Sequence, residues 1–464
     1  MTSAPGSLPA GLLVAFYGDD FTGSSAVMEV LTFAGLKTVM FVAPPSAVDL
    51  QRFAGYRAIG IASVARAQPP VWMDVNLSPA FEALAGLGAP VTHYKICSTL
   101  DSSPTLGSIG RAIDIGAPIF GRRPGAATWQ PLLVAAPAIR RYQAFGNLFA
   151  VHAGTGYRLD RHPVMRDHPA TPMHEADVRL HVAAQTARPL GLVDFTAMKD
   201  GSGDARFAGE LAAGRTLLAL DVVDDETLAW AGRLMWENRG SGLFAVGSQG
   251  VEYALVAHWH AAGLLPAAEG VPAAAPADRI IALSGSVSAV TAAQIDWAEV
   301  HGFEVIPLDA ALAVDEGQWQ GELARAASRA AGVLAAGRSP LIVTARGPGD
   351  PAVARVRQAM IEADVGATAL NARLGAGLGT LAGRLVRDTG VRRLVISGGD
   401  SSGFAAGALG IFALEAMAPL APGAPLCRAF SAVSHIDGVE IALKGGQMGP
   451  PDYFGSVRAG RAIS

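Results

Sequence analysis

The sequence predicts an α/β protein of two doubly wound domains, each with a mainly parallel sheet flanked by helices. Three observations support this fold class. Short apolar runs without polar alternation recur along the chain, which is typical of strands buried on both faces. Stretches with helical spacing, or that follow Gly-rich turns, separate these runs. A Pro- and Ala-rich segment at 266–278 predicts a linker between a domain at 1–265 and another at 279–464.

The individual elements follow from the same patterns, taken in chain order. Apolar runs predict strands at 12–17, 37–42, 58–62, 92–96, 132–136, 243–246, 280–283, 304–307, 341–344 and 393–396. Helices are predicted at 24–34, 323–336, 352–363, 380–389 and 404–417, with a further helix from Thr291 onward. Several His and Pro residues and no regular period at 146–186 predict a loop-rich insertion.

Composition excludes several classes of protein. Half of the 464 residues are apolar and 16% are charged, below the roughly 25% of an average domain, so the chain is not intrinsically disordered. A formal net charge of −4 disfavours a dedicated nucleic-acid binder. The two distant cysteines fit a reducing compartment. The first apolar run has no Lys or Arg and ends in Asp19, and the apolar stretch 403–418 is too short for a bilayer, so we expect a cytoplasmic protein without membrane partners.

The first candidate site lies where strand 12–17 ends. Asp19 and Asp20 follow the strand, and the chain turns through Thr22 and Gly23 into a helix. In open α/β sheets ligands bind outside the carboxyl ends of the strands. Two acids there can bind a polyol, hold Mg²⁺ or accept a hydroxyl proton. The alternative is structural, with Asp20 or Thr22 capping the helix and Asp19 solvated, but a cap does not require two acids.

A second candidate follows strand 92–96. Lys95 stands at the strand end, and the hydroxyls of Ser98 and Thr99 come next. A cation with neighbouring hydroxyls suits a carboxylate or a phosphate. An edge-strand Lys beside a helix cap explains the same residues equally well.

Turns that suit phosphates recur in the second half. A strand, a small hydroxyl-rich or Gly-rich turn and a helix together offer backbone N–H groups to an anion. The spacing is not that of a Walker A loop, and each turn alone also fits an ordinary turn or terminal loop. Two such turns in one domain favour a nucleotide site. The candidate residues are Ser284, Gly285 and Ser286, then Gly398, Gly399, Asp400 and Ser401, then Lys444, Gly445 and Gly446.

Taken together, these motifs resemble the four-carbon acid sugar kinase family, in order and over nearly the whole chain. The family's Asp-Asp-x-Thr-Gly signature matches residues 19–23, its Ser-Gly-Ser turn 284–286, its Gly-Gly-acid-hydroxyl turn 398–401 and its Lys-x-Gly loop 444–449. The resemblance implies phosphorylation of tetronates or 3-oxo-tetronates, with ATP and Mg²⁺ as cofactors. It also implies that the N-terminal domain binds the acid, the C-terminal domain binds ATP, and the active site lies in the cleft between the domains.

One motif departs from the family. Where the family commonly has Lys-Ile-Asp-Ser-Thr-Leu-Arg-Gly, this chain has Cys97 in place of Asp and Asp101 in place of Arg. The substrate acid is therefore recognised differently if that Arg normally meets its carboxylate. A branched acid such as 3-oxo-isoapionate becomes a candidate beside the tetronates.

The resemblance also implies roles. Asp19 or Asp20 accepts the substrate hydroxyl proton while the other orients the polyol, and Lys95 meets the carboxylate or the transferring phosphoryl group. Phosphoryl transfer consists mostly of positioning and charge neutralisation. Two alternatives stay open at this point: a non-catalytic two-domain receptor for small acids, and a sugar-acid lyase or isomerase. A homodimer is expected, as for many soluble enzymes.

Overall fold

The computed structural model describes residues 6–267, 270 and 272–463. Residues 268, 269 and 271 of the predicted linker lie outside the described part, as does the side chain of Asp400. The chain divides into two compact units, Met1–Glu269 and Gly270–Ser464, called here the N-terminal and C-terminal units. Within the described ranges, no helix has the length and apolar composition needed to cross a bilayer.

The N-terminal unit contains eleven named strands and nine helices within its described residues. Its strands are β1 (Val14–Gly18), β2 (Thr38–Phe41), β3 (Ala58–Ala62), β4 (Val91–Lys95), β5 (Gln130–Leu133), β6 (Arg141–Ala144), β7 (Asn147–His152), β8 (Thr155–Arg158), β9 (Leu190–Val193), β10 (Leu217–Leu220) and β11 (Leu243–Gly247). Its helices are α1 (Phe21–Phe33), α2 (Ala47–Arg52), α3 (Pro70–Gly86), α4 (Ile109–Phe120), α5 (Val178–Ala183), α6 (Phe195–Asp200), α7 (Gly203–Ala212), α8 (Asp225–Glu237) and α9 (Gly250–Ala261).

The main sheet of this unit is parallel, in the order β2-β3-β1-β4-β11-β5-β10-β9. Every residue of β1, β3 and β4 is buried, which explains the apolar runs of β1 and β3, whereas β4 also buries polar side chains. Gly18 pairs with both Ala62 and Lys95, so three carboxyl ends meet at one edge of the sheet. That edge carries the first two predicted motifs.

A second, antiparallel sheet of β6, β7 and β8 lies within the N-terminal unit. The predicted loop-rich insertion at 146–186 therefore holds regular structure, namely β7, β8 and helix α5. These elements are short, and only every second residue of β7 is buried until the strand reaches its exposed end at His152. So short a pattern is hard to distinguish from a loop by sequence.

The C-terminal unit has the same layered design. Its strands are β12 (Ile281–Ser284), β13 (Phe303–Pro307), β14 (Ser339–Val343), β15 (Arg393–Ser397), β16 (Ile411–Ala418), β17 (Leu426–Ser431) and β18 (Glu440–Lys444). Its helices are α10 (Ala289–Val300), α11 (Glu316–Ala335), α12 (Pro351–Glu362), α13 (Ala367–Thr389), α14 (Gly399–Ala408) and α15 (Tyr453–Ala459). The strand order is β13-β14-β12-β15-β18-β17-β16, parallel as far as β18 and antiparallel from β18 to β16.

The predicted helix at 404–417 is wrong beyond its first turn. Helix α14 ends at Ala408, and Gly410 takes a positive φ of 63°, a conformation that glycine adopts without strain. Residues Ile411–Ala418 then form β16, which pairs antiparallel with β17. The intrinsic helix preference of Ala is too weak to outweigh burial and pairing in the sheet.

The second half of the segment predicted as a linker is held by the C-terminal unit. The backbone N–H of Ala274 donates to the carbonyl of Gly460 at 2.9 Å, and that of Ala277 donates to the carbonyl of Arg458 at 2.9 Å. The Nη2 of Arg393 donates to the carbonyl of Ala275 at 2.7 Å. These bonds make residues 274–277 part of the folded unit.

Candidate active site

Arg66 organises the acid pair that follows β1. Its Nε donates to Asp19 Oδ2 at 3.1 Å, and its Nη2 donates to Asp19 Oδ1 at 2.6 Å and Asp20 Oδ1 at 2.7 Å. Asp20 Oδ1 also accepts from the backbone N–H of Gly23 at 2.9 Å and so caps α1. The capping alternative therefore holds for Asp20, but Asp19 is buried and ion-paired instead of solvated. Thr22 lies half-buried in the first turn.

Sequence reasoning missed Arg66. Its position just after strand 58–62 was the available signal, because β3 pairs with β1 and their carboxyl ends share an edge. Burial raises the pKa of Asp19 above its ordinary value, and the Arg66 guanidinium opposes that shift. Burial acts to lower the pKa of Arg66, but Asp19 and then Cys97 and Asp20 raise it well above its usual range. The guanidinium is therefore always charged.

Lys95 lies beside the acid pair. It is buried, and its Nζ donates a hydrogen bond to the carbonyl of Ile96 at 2.6 Å. A Cβ added to Gly23 would lie 2.8 Å from Lys95 Nζ and 3.5 Å from Arg66 Nη2, and it would collide with Asp20 Oδ1. Glycine thus keeps open a small space on which one carboxylate and two cations converge.

The turn that follows β4 closes the same region. Thr99 Oγ1 donates to Asp101 Oδ1 at 2.8 Å and lies 3.0 Å from Cys97 Sγ, while Ser98 is half-buried. Leu100 is fully buried with φ of +55°, a strained conformation for this residue. Burial, reinforced by Asp101, raises the pKa of the Cys97 thiol to about 11, so the thiol is neutral at physiological pH.

The C-terminal unit brings its three predicted turns together. Strands β12, β15 and β18 are adjacent and parallel, with Ser284 opposite Ser397 and Ser397 opposite Lys444. The N–H of Gly285 donates to the carbonyl of Ser397 at 2.9 Å, and the N–H of Gly398 donates to that of Lys444 at 2.9 Å. Register alone thus places the three turns side by side at the carboxyl edge of the sheet.

Close approach explains why these turns are rich in glycine. A Cβ on Gly285 would lie 2.6 Å from Ser401 Oγ, and one on Gly446 would lie 2.5 Å from Ser286 Oγ. Both distances are below any normal Cβ contact. Thr291, in the first turn of α10, donates its Oγ1 to the carbonyl of Gly446 at 2.9 Å and ties two of the turns together. Thr291 was not among the site residues predicted from the sequence.

Lys444 is a buried cation that forms no ion pair within the described residues. Its Nζ donates to the carbonyl of Gly445 at 3.1 Å and to Thr291 Oγ1 at 3.4 Å, and it lies 5.7 Å from the ring centre of Tyr453. Burial lowers the pKa of Lys444 to about 8. A buried ammonium with only neutral partners suits an incoming anion, because an anion supplies the missing counter-charge. Gly399 is exposed at the adjoining turn.

A further turn, not predicted as part of the site, lies beside these three. Strand β14 pairs with β12, and the N–H of Thr344 donates to the carbonyl of Ser284 at 3.0 Å. The chain continues through Arg-Gly-Pro-Gly, with φ of +151° at Gly347. A Gly- and Pro-rich turn directly after a buried strand was the sequence pattern that could have predicted this turn.

Comparisons with known proteins agree with both halves of this description. Residues 14–255 match the sugar-binding N-terminal domain family, and residues 281–454 match the nucleotide-binding C-terminal domain family. A 3-oxo-isoapionate kinase of Paraburkholderia graminis is 48% identical over 453 residues, 98% of this chain and 95% of that one. The chain belongs to the four-carbon acid sugar kinase family. A 3-oxo-tetronate kinase of Methylobacterium radiotolerans is 30% identical over 453 residues, 96% of this chain and 98% of that one.

Solved structures of more distant kin share the fold with this sugar acid kinase. A protein of Salmonella typhimurium LT2 has a TM-score of 0.78 at 22% identity, covering 96% of this chain and 98% of that one. A DUF1537 protein of Haemophilus influenzae has a TM-score of 0.74 at 22% identity, covering 96% and 99%. Family membership makes the kinase a phosphotransferase and sets aside the receptor and lyase alternatives.

Proposed function

We propose that this kinase uses ATP to phosphorylate a hydroxyl of 3-oxo-isoapionate or a closely related sugar acid, with tetronates and 3-oxo-tetronates as the next candidates. The relative named 3-oxo-isoapionate kinase is 48% identical, against 30% for the 3-oxo-tetronate kinase given above. Cys97 and Asp101, which depart from the common family motif, lie on the turn after β4 and favour an acid other than the common tetronates.

The convergence of Asp20, Arg66 and Lys95 around Gly23 carries this proposal. Asp20 Oδ1 is occupied by two donors, whereas Oδ2 has no partner within the described residues. The side chain of Asp20 is 28% exposed and that of Asp19 is 3% exposed. We therefore assign Asp20 as the base that accepts the substrate hydroxyl proton. Asp19, with both oxygens on Arg66, positions the guanidinium.

The proposed reaction transfers the γ-phosphoryl group of ATP to the substrate hydroxyl. The substrate hydroxyl oxygen forms a bond to the γ-phosphorus of ATP, the bond from that phosphorus to the β,γ-bridging oxygen breaks, and ADP leaves. The hydroxyl proton passes to Asp20. Arg66 and Lys95 neutralise negative charge on the acid and on the transferring group. The hydroxyls of Thr22, Ser98 and Thr99 are assigned to the polyol.

ATP binding is assigned to the turns of the C-terminal unit. Lys444 supplies the counter-charge for the phosphates, and Gly445 and Gly446 let the backbone approach them closely. The turns at 284–286 and 398–401 add N–H and hydroxyl donors. The role of Asp400 stays a prediction, because its side chain lies outside the described part of the chain.

Mg²⁺ enters the proposal together with ATP. When bound, it would supply positive charge that neutralises the phosphates. The described residues contain no group of three His, Cys, Asp or Glu side chains that could hold a metal ion, and Asp19 and Asp20 are engaged by Arg66. Hydroxyls such as those of Ser286 and Ser401 suit a hydrated ion held mainly by phosphate. The expected homodimer also stays a prediction.

The deciding experiment measures ADP release with Mg·ATP across a panel of acids. The panel contains D- and L-threonate, D- and L-erythronate, their 3-oxo forms, and 3-oxo-isoapionate. Turnover strongest on 3-oxo-isoapionate supports the proposal, whereas a clear preference for a tetronate refutes its first choice. Binding of ATP without turnover on any acid would mean that the acceptor is a different compound.

A further inference from the structure

Arg141 forms no salt bridge with the described residues. Its Nη1 donates to the carbonyls of Ile139 and Arg140, each at 3.2 Å, but its Nε is buried and has no hydrogen-bond partner. No carboxylate among the described residues lies within ion-pair distance of its guanidinium. A buried polar group without a partner is costly, so such an atom calls for an explanation.

The backbone of Arg141 is held at the functional edge of the sheet. Its N–H donates to the carbonyl of Ala136 at 3.1 Å, and its carbonyl accepts from the N–H of Ala136 at 3.0 Å. Ala136 lies three residues beyond the end of β5 and is fully buried. Since β5, β11 and β4 are parallel neighbours, this bridge lies at the same carboxyl edge as Lys95.

Burial lowers the pKa of Arg141, and the turn after β4 acts against that shift. Cys97 and Asp101 both act to raise that pKa, so both lie within electrostatic range of the guanidinium. Arg66 and Lys95 act to lower the pKa of the Cys97 thiol, so this turn lies within electrostatic range of the candidate active site as well. Cys97 brings no negative charge, and one oxygen of Asp101 is occupied by Thr99.

Hydrogen bonds hold the turn after β4 in place. Ser102 Oγ donates to the carbonyl of Leu100 at 2.9 Å and lies 2.8 Å from His181 Nε2. Gln185 Nε2 donates to Ser102 Oγ at 3.0 Å. These bonds stabilise the strained φ of Leu100 and hence the position of Asp101.

We propose that Arg141 binds the carboxylate of the sugar acid, with Nε and Nη2 as a bidentate donor pair. This inference rests on the proposed function and names the group that recognises the acid. Asp101 stands where the family motif commonly has Arg, so the cation missing from the turn after β4 comes from β6 instead. The planar guanidinium matches a carboxylate, which explains why Nε is left without an internal partner.

The test compares Arg141→Gln with Arg140→Gln. Arg140 is adjacent and exposed, so the control removes the same charge without touching the proposed site. Arg141→Gln is expected to raise KM for the preferred acid about 10- to 100-fold, the range for losing a charged hydrogen bond. The KM for ATP should stay within about twofold, and Arg140→Gln should leave both constants near wild type.

A second readout separates recognition from folding. Wild type should prefer the acid over its neutral amide, because only the carboxylate can form an ion pair with Arg141. Arg141→Gln should lose that preference. Arg141→Lys keeps the charge but not the paired donors, so its preference for the acid should lie between those of wild type and Arg141→Gln. An unchanged preference in Arg141→Gln, or an equal loss in Arg140→Gln, overturns the inference.

Failure of the inference is distinguishable from failure of the proposed function. Turnover in wild type with unchanged kinetics in Arg141→Gln refutes the role of Arg141 alone. If wild type releases no ADP with any acid, calorimetry with the same panel tests acid binding directly. Binding that Arg141→Gln weakens then supports the inference without the kinase step, and no binding by wild type refutes both.

Discussion

Arg66 donates two hydrogen bonds to Asp19, from Nε to Oδ2 at 3.1 Å and from Nη2 to Oδ1 at 2.6 Å, although the two residues are 47 positions apart in the sequence. Burial of the Asp19 carboxylate alone would cost free energy, and the ion pair with Arg66 offsets that cost while it fixes the position of the guanidinium. The same guanidinium reaches Asp20, so one residue organises both acids of the first motif.

The Arg66–Asp19 pair therefore supports both the fold and the reaction. Arg66→Gln should lower the free energy of unfolding by about 3 kcal/mol, because it leaves the carboxylate of Asp19 buried without its partner. Urea denaturation measures the loss. Arg111→Gln is the control, since its pair with Asp74 is 42% exposed on both sides and should cost less than about 1 kcal/mol. Equal losses in the two variants would contradict this account.

Asp20 and Asp19 should differ in kinetic effect. Asp20→Asn should lower kcat about 100- to 10,000-fold, because the amide cannot accept the hydroxyl proton. Asn still caps α1, so the thermal midpoint should change little. Steady-state ADP release and a thermal melt measure the two quantities.

Asp19→Asn provides the contrast, because it weakens the hold on Arg66 and should reduce the thermal midpoint together with activity. Near-wild-type kcat in Asp20→Asn would refute its role as base. Near-wild-type kcat in both variants would remove the acid pair from the mechanism altogether.

Gly23 should tolerate no side chain. In Gly23→Ala the new methyl group would lie 2.8 Å from Lys95 Nζ and against Asp20, so KM for the acid should rise at least about tenfold through lost space and displaced charges. Gly209→Ala in α7 is the matched control, because a Cβ there meets nothing within 4 Å and a helix gains up to about 1 kcal/mol from this change. Unaltered acid kinetics in Gly23→Ala would show that the convergent space is not the substrate site.

Lys444 predicts a dependence of ATP binding on pH. With the pKa of Lys444 lowered to about 8 by burial, the ammonium form dominates below that pH and is lost above it. Bound phosphate favours the charged form, so KM for ATP should be constant below about pH 8. Above it, KM should rise by up to about tenfold per pH unit.

Two substitutions check the origin of that profile. Lys444→Met should give a high KM for ATP with no rise above pH 8, and Lys444→Arg should keep the charge and move the rise to higher pH. A wild-type profile that stays flat to pH 10, or an unchanged profile in Lys444→Met, would show that Lys444 does not meet the phosphates. The KM for the acid serves as an internal control.

Much of the fold could be predicted because buried parallel strands have a distinctive composition. The ten apolar runs predicted as strands overlap β1 to β5 and β11 to β15. Strands β6 to β10 and β16 to β18 were missed, since they are short, partly exposed or masked by Ala-rich sequence. At 404–417 the Ala content predicted a helix, and pairing of Ile411–Ala418 with β17 decided otherwise.

The sequence by itself determined the two α/β domains and the motifs at strand ends, because apolar runs and Gly-rich turns are local properties. Only the tertiary structure decided which residues meet. Strand register aligned Ser284, Ser397 and Lys444, and the pairing of β3 with β1 brought Arg66 to Asp19. Partners brought together by sheet pairing leave no local pattern, since their contact depends on the strand order of the whole sheet.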